Sequence, residues 1–294
     1  MTVWWEDEFW AILEDFDLVF LNETHHTYLP HRLGWRIEGT ERNSENTHGG
    51  VLALIRNNGK FNCVLVDEPF DGFIWLKLAV DAGQTLWAGG VYIPGGSDLR
   101  FRSLQGDGRL HHFDALQTQL LHRGDDLWIL GGDFNAITNS FQAEGDIELV
   151  IDEEAPKTDI PSRSSFDKRS VNAHGRRLLD CIAGVGIILN GLHCLSFDPS
   201  FTRFPTKEAD CPGVLDYAIC SLSLLQHLYA GAFRVIHAPA DYSDHYPIGL
   251  DVALKPLEIL ETSTIFQKQT LEAMASTLSS EELDTLEASL EIGF

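Results

Sequence analysis

Residues 130–136 have the sequence Leu-Gly-Gly-Asp-Phe-Asn-Ala and residues 243–247 have the sequence Ser-Asp-His-Tyr-Pro, and these two stretches decide the fold. In the first, an apolar strand runs into two glycines, which let the backbone turn tightly or let a substrate approach closely. Asp133 and Asn135 can then point the same way, with an acceptor beside a donor, although an Asx-type turn gives the same spacing. In the second, an Asp and a His precede an apolar strand, where they could contact a metal and a scissile phosphate.

Two more carboxylates lie within or at the end of predicted strands. Asp216 interrupts the apolar run 215–219, so we expect it to be partly buried and to need a partner. A histidine suits that place, because the acid fixes its tautomer and stabilises its cation. Glu23 ends the apolar run 18–21, which would bring its carboxylate out at a sheet edge. A solvated glutamate is the commoner occupant of such a position.

The composition indicates a folded and strongly acidic protein. Of 294 residues, 44% are apolar, which supplies a large core and excludes wholesale disorder. The chain has 21 Lys and Arg against 44 Asp and Glu, for a formal net charge of −23. Such a charge repels nucleic acid and anionic membranes at long range, which excludes a general polyanion-coating role. Local charge must therefore decide whether a phosphate-bearing substrate binds.

The cysteines and the apolar runs predict a compartment. The five cysteines include no C-x-x-C pair, so we expect no disulfide scaffold, no zinc module and no disulfide-linked partner. The sequence starts without the basic and then apolar pattern of a secretion signal, and no apolar run approaches the roughly 18 residues of a membrane span. These features predict a soluble intracellular protein, nuclear or cytoplasmic, that is not secreted and has no membrane partner.

Many predicted strands joined by hairpins, with a few interspersed helices, predict a mixed α/β domain over residues 1–254, with sheets in the middle and helices outside. Residues 50–55 and 62–66 are predicted to pair as a hairpin across the Asn-Gly turn signal at 58–59. Residues 255–294 have helical periodicity and carry 8 acidic against 2 basic side chains. We expect this stretch to form an acidic helical tail outside the domain.

A basic segment and two histidine pairs have competing interpretations. Residues 163–177 contain five basic side chains against one acid, so they form a solvated loop or lie beside a phosphate-bearing substrate. Arg176 and Arg177 are the candidates for substrate binding. The adjacent histidines at 25–26 and 111–112 look like metal ligands, but neighbours on a strand or helix point in different directions. We expect those four histidines at the surface.

The order of these motifs resembles the endonuclease/exonuclease/phosphatase superfamily over roughly residues 5–254. The Gly-Asp-Phe-Asn and Ser-Asp-His-x-Pro motifs lie about 110 residues apart in this order, which is a specific signal. The connecting motifs resemble the endonuclease domain of LINE-type (non-LTR) retrotransposons and its free-standing fungal-type relatives. Those motifs are Arg163-Ser164-Ser165-Phe166-Asp167, Asn172, the run from Gly175 to Cys181, the run from Ile188 to Gly191, and Phe201-Thr202.

The resemblance implies a four-layer α/β sandwich of two packed mixed sheets with outer helices. It also implies hydrolysis of phosphodiester bonds in DNA with a divalent cation, Mg²⁺ or alternatively Mn²⁺. By motif match, the implied roles are these: Glu23 and Asp244 bind metal, His245 contacts the scissile phosphate, Asp216 holds His245, Asp133 positions the attacking water, and Asn135 and Tyr92 bind phosphate oxygens.

The sequence departs from the family pattern at two places. The family opens with an Asn-bearing strand ahead of the first helix, and nothing before Glu23 supplies it, so we expect a sandwich that lacks its first strand. In addition, Arg203 follows Thr202 where the retroelement branch has Trp. Three functions stay open: a DNA endonuclease weakened by the missing strand, an inactive remnant, and a phosphatase on a small phosphorylated or lipid substrate, which the net charge favours.

Overall fold

The computed structural model describes residues 7–24, 31–39, 50–57, 62–66, 72–79, 84–95, 108–142, 161–204, 211–237 and 243–253. Every helix and strand named below belongs to the compact unit Met1–Val252. The predicted acidic tail, residues 255–294, lies outside the described residues and stays a prediction. Histidines 25 and 26 and the turn signal at 58–59 lie outside them as well.

In the described residues, three α-helices are interspersed among eleven strands, as the mixed pattern predicts. The helices are α1 (Asp7–Leu13), α2 (Gly108–Arg123) and α3 (Ala173–Ile182). The strands are β1 (Leu18–Asn22), β2 (Trp35–Gly39), β3 (Val51–Arg56), β4 (Asn62–Val66), β5 (Phe73–Ala79), β6 (Thr85–Tyr92), β7 (Leu127–Asp133), β8 (Gly186–Ile188), β9 (Asp216–Ser221), β10 (Phe233–Val235) and β11 (Ile248–Leu250).

A six-stranded sheet in the order β4-β5-β6-β7-β9-β8 forms the centre of the domain. The pairing of β6 with β7 is parallel and α2 makes the crossover between them, whereas the other pairs are antiparallel. The register aligns Tyr92 with Asp133 and Asp133 with Asp216. Three candidate residues from three neighbouring strands therefore lie side by side at one end of this sheet.

A second layer of strands packs on the central sheet. It contains the antiparallel sheet β1-β3-β2 and the antiparallel pair β10–β11. Strand β1 contacts β6 and β7, and β11 contacts β9. Residues 51–55 of β3 are all buried, as expected for a strand that has neighbours on both sides and cover on both faces.

Helices cover the outer face of each sheet. Phe113 and Leu116 of α2 and Leu178 of α3 belong to one core with the buried tryptophans of the central sheet, Trp75 and Trp128. On the other side of the domain, Trp10 and Leu13 of α1 pack with Trp35 and Leu54. The layers are thus helix, sheet, sheet and helix, which confirms the predicted four-layer sandwich.

The predicted hairpin between residues 50–55 and 62–66 is wrong. Strand β3 pairs with β1 and β2, whereas β4 pairs with β5 in the other sheet. The two runs have similar apolar sequences, and an intervening Asn-Gly signal predicts a turn without predicting which partners the strands take. Strand β4 lies at the edge of the central sheet, and four of its five residues are partly or fully exposed.

Two other expectations concern a missing edge strand in the second layer and the placement of adjacent histidines at the surface. Among the described strands, β1 pairs with β3 alone and β11 with β10 alone, while the loss of an opening strand stays a prediction. His112 is buried edge-on to Phe73, 6.1 Å between ring centroids, so its expected place at the surface is wrong. The periodicity of α2 carries that histidine onto the sheet-facing side.

The cysteines make no disulfide within the chain. All five are free thiols, and burial raises the pKa of the Cys181 thiol to about 12. Within the described ranges, every helix is too short or too polar to cross a bilayer.

Candidate active site

Asp133, Asp216 and His245 form a cluster at the end of the central sheet. Asp133 is the last residue of β7 and Asp216 the first of β9, and their register places the two buried carboxylates together. His245 reaches them from the loop before β11, and the ligand atoms of all three side chains lie within 4.8 Å of one another. The distance from His245 Nδ1 to Asp216 Oδ2 is 2.8 Å. The structure thus gives Asp216 the histidine partner that its burial requires.

Thr202 connects the two chain segments that carry Asp216 and His245. Its hydroxyl oxygen accepts from the backbone N–H groups of Leu215, at 3.0 Å, and Asp216, at 3.1 Å. Its carbonyl accepts from the N–H of Tyr246, next to His245, at 2.6 Å. Thr202 is fully buried. This single residue therefore fixes the spacing between the start of β9 and the histidine loop.

We expect Thr202→Val to destabilise the domain, because it leaves two buried N–H groups without an acceptor. Each such group costs about 1–3 kcal/mol, so the free energy of unfolding should fall by about 2–4 kcal/mol. Urea unfolding followed by circular dichroism measures this change. Thr202→Ser keeps the hydroxyl and is the matched control; an equal loss in both variants would contradict the role given to the oxygen.

The charges around His245 control its protonation. Burial lowers the pKa of His245, but the hydrogen bond that the imidazole donates to Asp216 and the negative charges of Asp216, Asp133 and Asp244 outweigh it and raise the pKa to about 9. The imidazole is therefore a cation at neutral pH. Burial, followed by the charge of Asp216, raises the pKa of Asp133 well above its usual range. The site combines a cation with an unusually basic carboxylate.

The metal-free protein should show this in two measurements. In an NMR titration, His245 should have a pKa of about 9, and Asp216→Asn should lower it, since the mutation removes the charge of the hydrogen-bond partner. Because the folded pKa exceeds the unfolded value of about 6.5, the stabilisation is complete below pH 6.5 and is lost as pH rises through about 9. His245→Ala should remove this part of the pH dependence, and a His245 pKa near 6.5 would contradict the account.

Asn135 lies beside Asp133, in a turn that also explains their spacing. The backbone N–H of Asn135 donates to Asp133 Oδ1 at 2.8 Å, which is the Asx-type turn. The Asn135 amide Nδ2 donates to Asp133 Oδ2 at 3.1 Å and to the carbonyl of Ile93 at 2.9 Å. Asn135 has a φ of +46°, a left-handed conformation that Asn tolerates better than most residues. The Asx-type turn is therefore the same arrangement that places the Asp133 carboxylate beside the Asn135 amide.

Gly132 serves the strands rather than the substrate. Its φ is +149°, and a Cβ atom there would lie 1.9 Å from the carbonyl oxygen of Val91 on the neighbouring strand. Only glycine allows β6 and β7 to approach this closely at the end that carries the site. At this position, the close packing of two strands explains the glycine.

Glu23 and Tyr92 meet at the same end of the sheets. The Tyr92 hydroxyl donates to Glu23 Oε1, and the charge of Glu23 contributes to the raised pKa of Asp133. Glu23 has a φ of +50°, which breaks the alternation of β1. Asn22 also reaches β6, since its Nδ2 donates to Val91 at 2.9 Å.

Asp244 pairs with an arginine that the sequence analysis did not select. The distance from Arg203 Nε to Asp244 Oδ2 is 3.1 Å. Arg203 was noted as a departure from a family pattern, and no spacing rule connected it with Asp244. The backbone pairing of the two segments, which lie about 40 residues apart, brings them together.

Arg176 and Arg177 lie on α3, outside this cluster. Asn172 caps that helix by accepting from the N–H of Gly175 at 2.6 Å. From the first turns, Arg176 donates to the carbonyl of Val171 at 2.9 Å, and Arg177 pairs with Asp114 of α2. The structure thus connects the two predicted substrate-binding arginines with helix contacts.

The described residues fit a hard divalent cation. When Glu23, Asp133, Asp216 and Asp244 are ionised, their charges exceed those of protonated His245 and Arg203 by two, which a divalent cation would balance. Carboxylate and amide oxygens are the ligands that Mg²⁺ and Mn²⁺ prefer. In the part of the chain that the structure describes, the buried amide oxygen of Asn22 lacks a hydrogen-bond partner and adds a free oxygen beside Glu23.

Comparison with known structures gives the fold. A 3′ phosphatase NExo from Neisseria, solved with a product DNA hairpin, matches with a TM-score of 0.52 and 16% identity over 84% of this chain and 93% of its own. AP endonuclease LMAP from Leishmania major gives 0.56 and 14% over 83% and 80%. The catalytic domain of Xenopus laevis APE2 gives 0.56 and 14% over 84% and 86%. No protein-family model and no curated protein matches the sequence.

Proposed function

We propose that this chain, which has the fold of the endonuclease/exonuclease/phosphatase superfamily, hydrolyses phosphodiester bonds in DNA with a divalent cation. The observation that carries the proposal is the convergence of Asp133, Asp216 and His245 at one end of the sandwich. Similar folds act on DNA in the neighbours named above, which supports the choice of substrate. Closeness to the LINE-type endonucleases stays a prediction.

The side chains divide the work between charge stabilisation and proton transfer. Protonated His245, held by Asp216, stabilises the negative charge that develops on the phosphate in the transition state. Asp133 has a raised pKa, so it is suited to accept a proton from the attacking water. Tyr92 and Asn135 would supply donors for phosphate oxygens by exchanging the bonds that they make to Glu23 and Asp133 for bonds to the substrate. Glu23 and Asp244 would hold the cation, which supplies Lewis-acid stabilisation of the phosphate when bound.

The test is cation-dependent nicking of supercoiled plasmid. We expect purified protein to convert supercoiled to open-circular DNA with Mg²⁺ or Mn²⁺, and the conversion to stop with EDTA, because the acidic cluster needs a cation before phosphate can approach. Folded protein that nicks no plasmid with either cation contradicts endonuclease activity. A folded chain without turnover on any phosphoester would instead support the inactive remnant.

A phosphatase acting on a smaller substrate is the second candidate. It is favoured by the placement of Arg176 and Arg177 against helices, because duplex binding requires several Lys or Arg contacts to phosphate. The NExo neighbour is a 3′ phosphatase, which supports phosphatase chemistry but not a smaller substrate, since it was solved with a product DNA hairpin. Release of inorganic phosphate from a 3′-phosphorylated oligonucleotide or an inositol phosphate, with plasmid untouched, would select this candidate.

A further inference from the structure

Arg203 lies directly opposite His245 across a pair of antiparallel segments. The N–H of Tyr246 donates to the carbonyl of Thr202 at 2.6 Å, and the N–H of Phe204 donates to the carbonyl of Asp244 at 2.8 Å. These bonds flank the bridge between Arg203 and His245, which makes the two a non-hydrogen-bonded pair. Opposed residues of such a pair present their side chains on the same face at close range. The guanidinium therefore emerges beside the imidazole.

The contact with Asp244 uses only part of the guanidinium. Nε donates to Asp244 Oδ2 at 3.1 Å, and no described residue accepts from either terminal nitrogen. The Arg203 side chain is 28% exposed, so part of it is accessible from solvent. Arginine carries five N–H donors in a planar fork, and the unused edge matches two oxygens of a phosphate.

The charge distribution makes this arginine important. A phosphate that approaches Glu23, Asp133, Asp216 and Asp244 is repelled unless cations offset them. The described residues form several ion pairs between an arginine and a carboxylate. Of these, the pair of Arg203 with Asp244 is the one that includes a carboxylate of the site. The arginines of α3 are held elsewhere, so the positive charge next to His245 comes from the residue after Thr202.

We propose that Arg203 binds the substrate phosphate through its terminal nitrogens while its Nε orients Asp244. The ligand is a phosphate group, either within a nucleic acid strand or free in solution. This assignment rests on the proposed function, since it places the phosphate next to His245. It adds a binding residue at the position where the sequence departs from the retroelement pattern.

Binding measurements test the assignment without turnover. We would measure the anisotropy of a short fluorescein-labelled single-stranded oligonucleotide with Ca²⁺ and again with EDTA, and titrate inorganic phosphate by ³¹P NMR as the second source of the ligand. Arg203→Ala should weaken oligonucleotide binding about 10- to 100-fold, the value of a charge-assisted hydrogen bond. It should also reduce the slope of log Kd against log salt by about one.

Two further substitutions separate charge from position. Arg203→Lys should keep the salt dependence and lose much of the affinity, since an ammonium lacks the planar fork. Arg203→Gln keeps a donor for Asp244 and removes the charge, so it should bind as weakly as the alanine variant. Arg234→Ala, which removes a similarly exposed arginine from an ion pair with Asp251, is the matched control and should bind like the wild type.

The outcomes are distinguishable from those of the proposed function. If Arg203→Ala and Arg203→Gln bind as well as Arg234→Ala, the assignment is overturned, whatever the wild type hydrolyses. If the wild type binds neither oligonucleotide nor inorganic phosphate, it is overturned as well. If the Arg203 variants lose binding while the wild type hydrolyses nothing, the phosphate site stands and the proposed hydrolysis fails.

Discussion

His245→Ala is expected to reduce plasmid nicking about 10²- to 10³-fold, the loss that follows removal of one preorganised transition-state donor. The imidazole is charged at neutral pH because three carboxylates surround it, so the substitution removes a cation as well as a donor. The rate constant for loss of supercoiled plasmid, measured with saturating Mg²⁺, gives the effect.

The control for this substitution is His122→Ala, because His122 is an exposed histidine in the last turn of α2. That variant should nick plasmid at the wild-type rate, and a loss confined to His245→Ala would then exclude a contaminating nuclease as the source of activity. Wild-type activity in folded His245→Ala would remove the histidine from the reaction, and with it the proposed arrangement.

The sequence could predict the pair Asp216 and His245 because a general rule applies to both residues. A carboxylate within an apolar alternation becomes buried, and a buried carboxylate requires a partner. The register of β7 and β9 then determines which other acid lies beside Asp216. That acid is Asp133, which pairs with it directly. The rule predicts that a partner exists, and the fold supplies its identity.

The sequence could not predict the surroundings of Asp244 or the positions of the α3 arginines. Arg203 meets Asp244 through an isolated bridge between two irregular segments, for which no periodicity exists. Arg176 and Arg177 are part of a basic run, but the helix directs them along its own surface and toward α2. The number of charged residues in a segment therefore predicts the sign of its charge, but it does not predict which way the side chains point.

The difference between a pattern within one element and a contact between elements also explains which strand predictions are right. The predictions that concern one element, such as a strand over residues 50–55 or the burial of Asp216, agree with the structure. The wrong hairpin concerned a pairing between elements, where a local turn signal competes with burial over the entire sandwich. Thr202 belongs to this class too, since its importance arises from bonds to segments about 13 and 44 residues away.

Asp133→Asn is expected to lower the rate of plasmid nicking about 10²- to 10⁴-fold, the contribution of a positioned general base. The amide is nearly isosteric with the carboxylate but accepts no proton from water at neutral pH. The same assay as for His245→Ala measures the loss, and Asp114→Asn, at an exposed acid of α2, is the control.

The stability of Asp133→Asn should change in the opposite direction, which separates a catalytic loss from misfolding. Burial and the neighbouring charge of Asp216 raise the pKa of Asp133, so its ionisation destabilises the metal-free fold as pH rises above about 4. Asparagine carries no such charge, so its advantage over the wild type should grow as pH rises above about 4 and become constant above the folded pKa. Thermal unfolding in EDTA at several pH values measures this, and full nicking activity in Asp133→Asn would show that the attacking water is activated without this carboxylate.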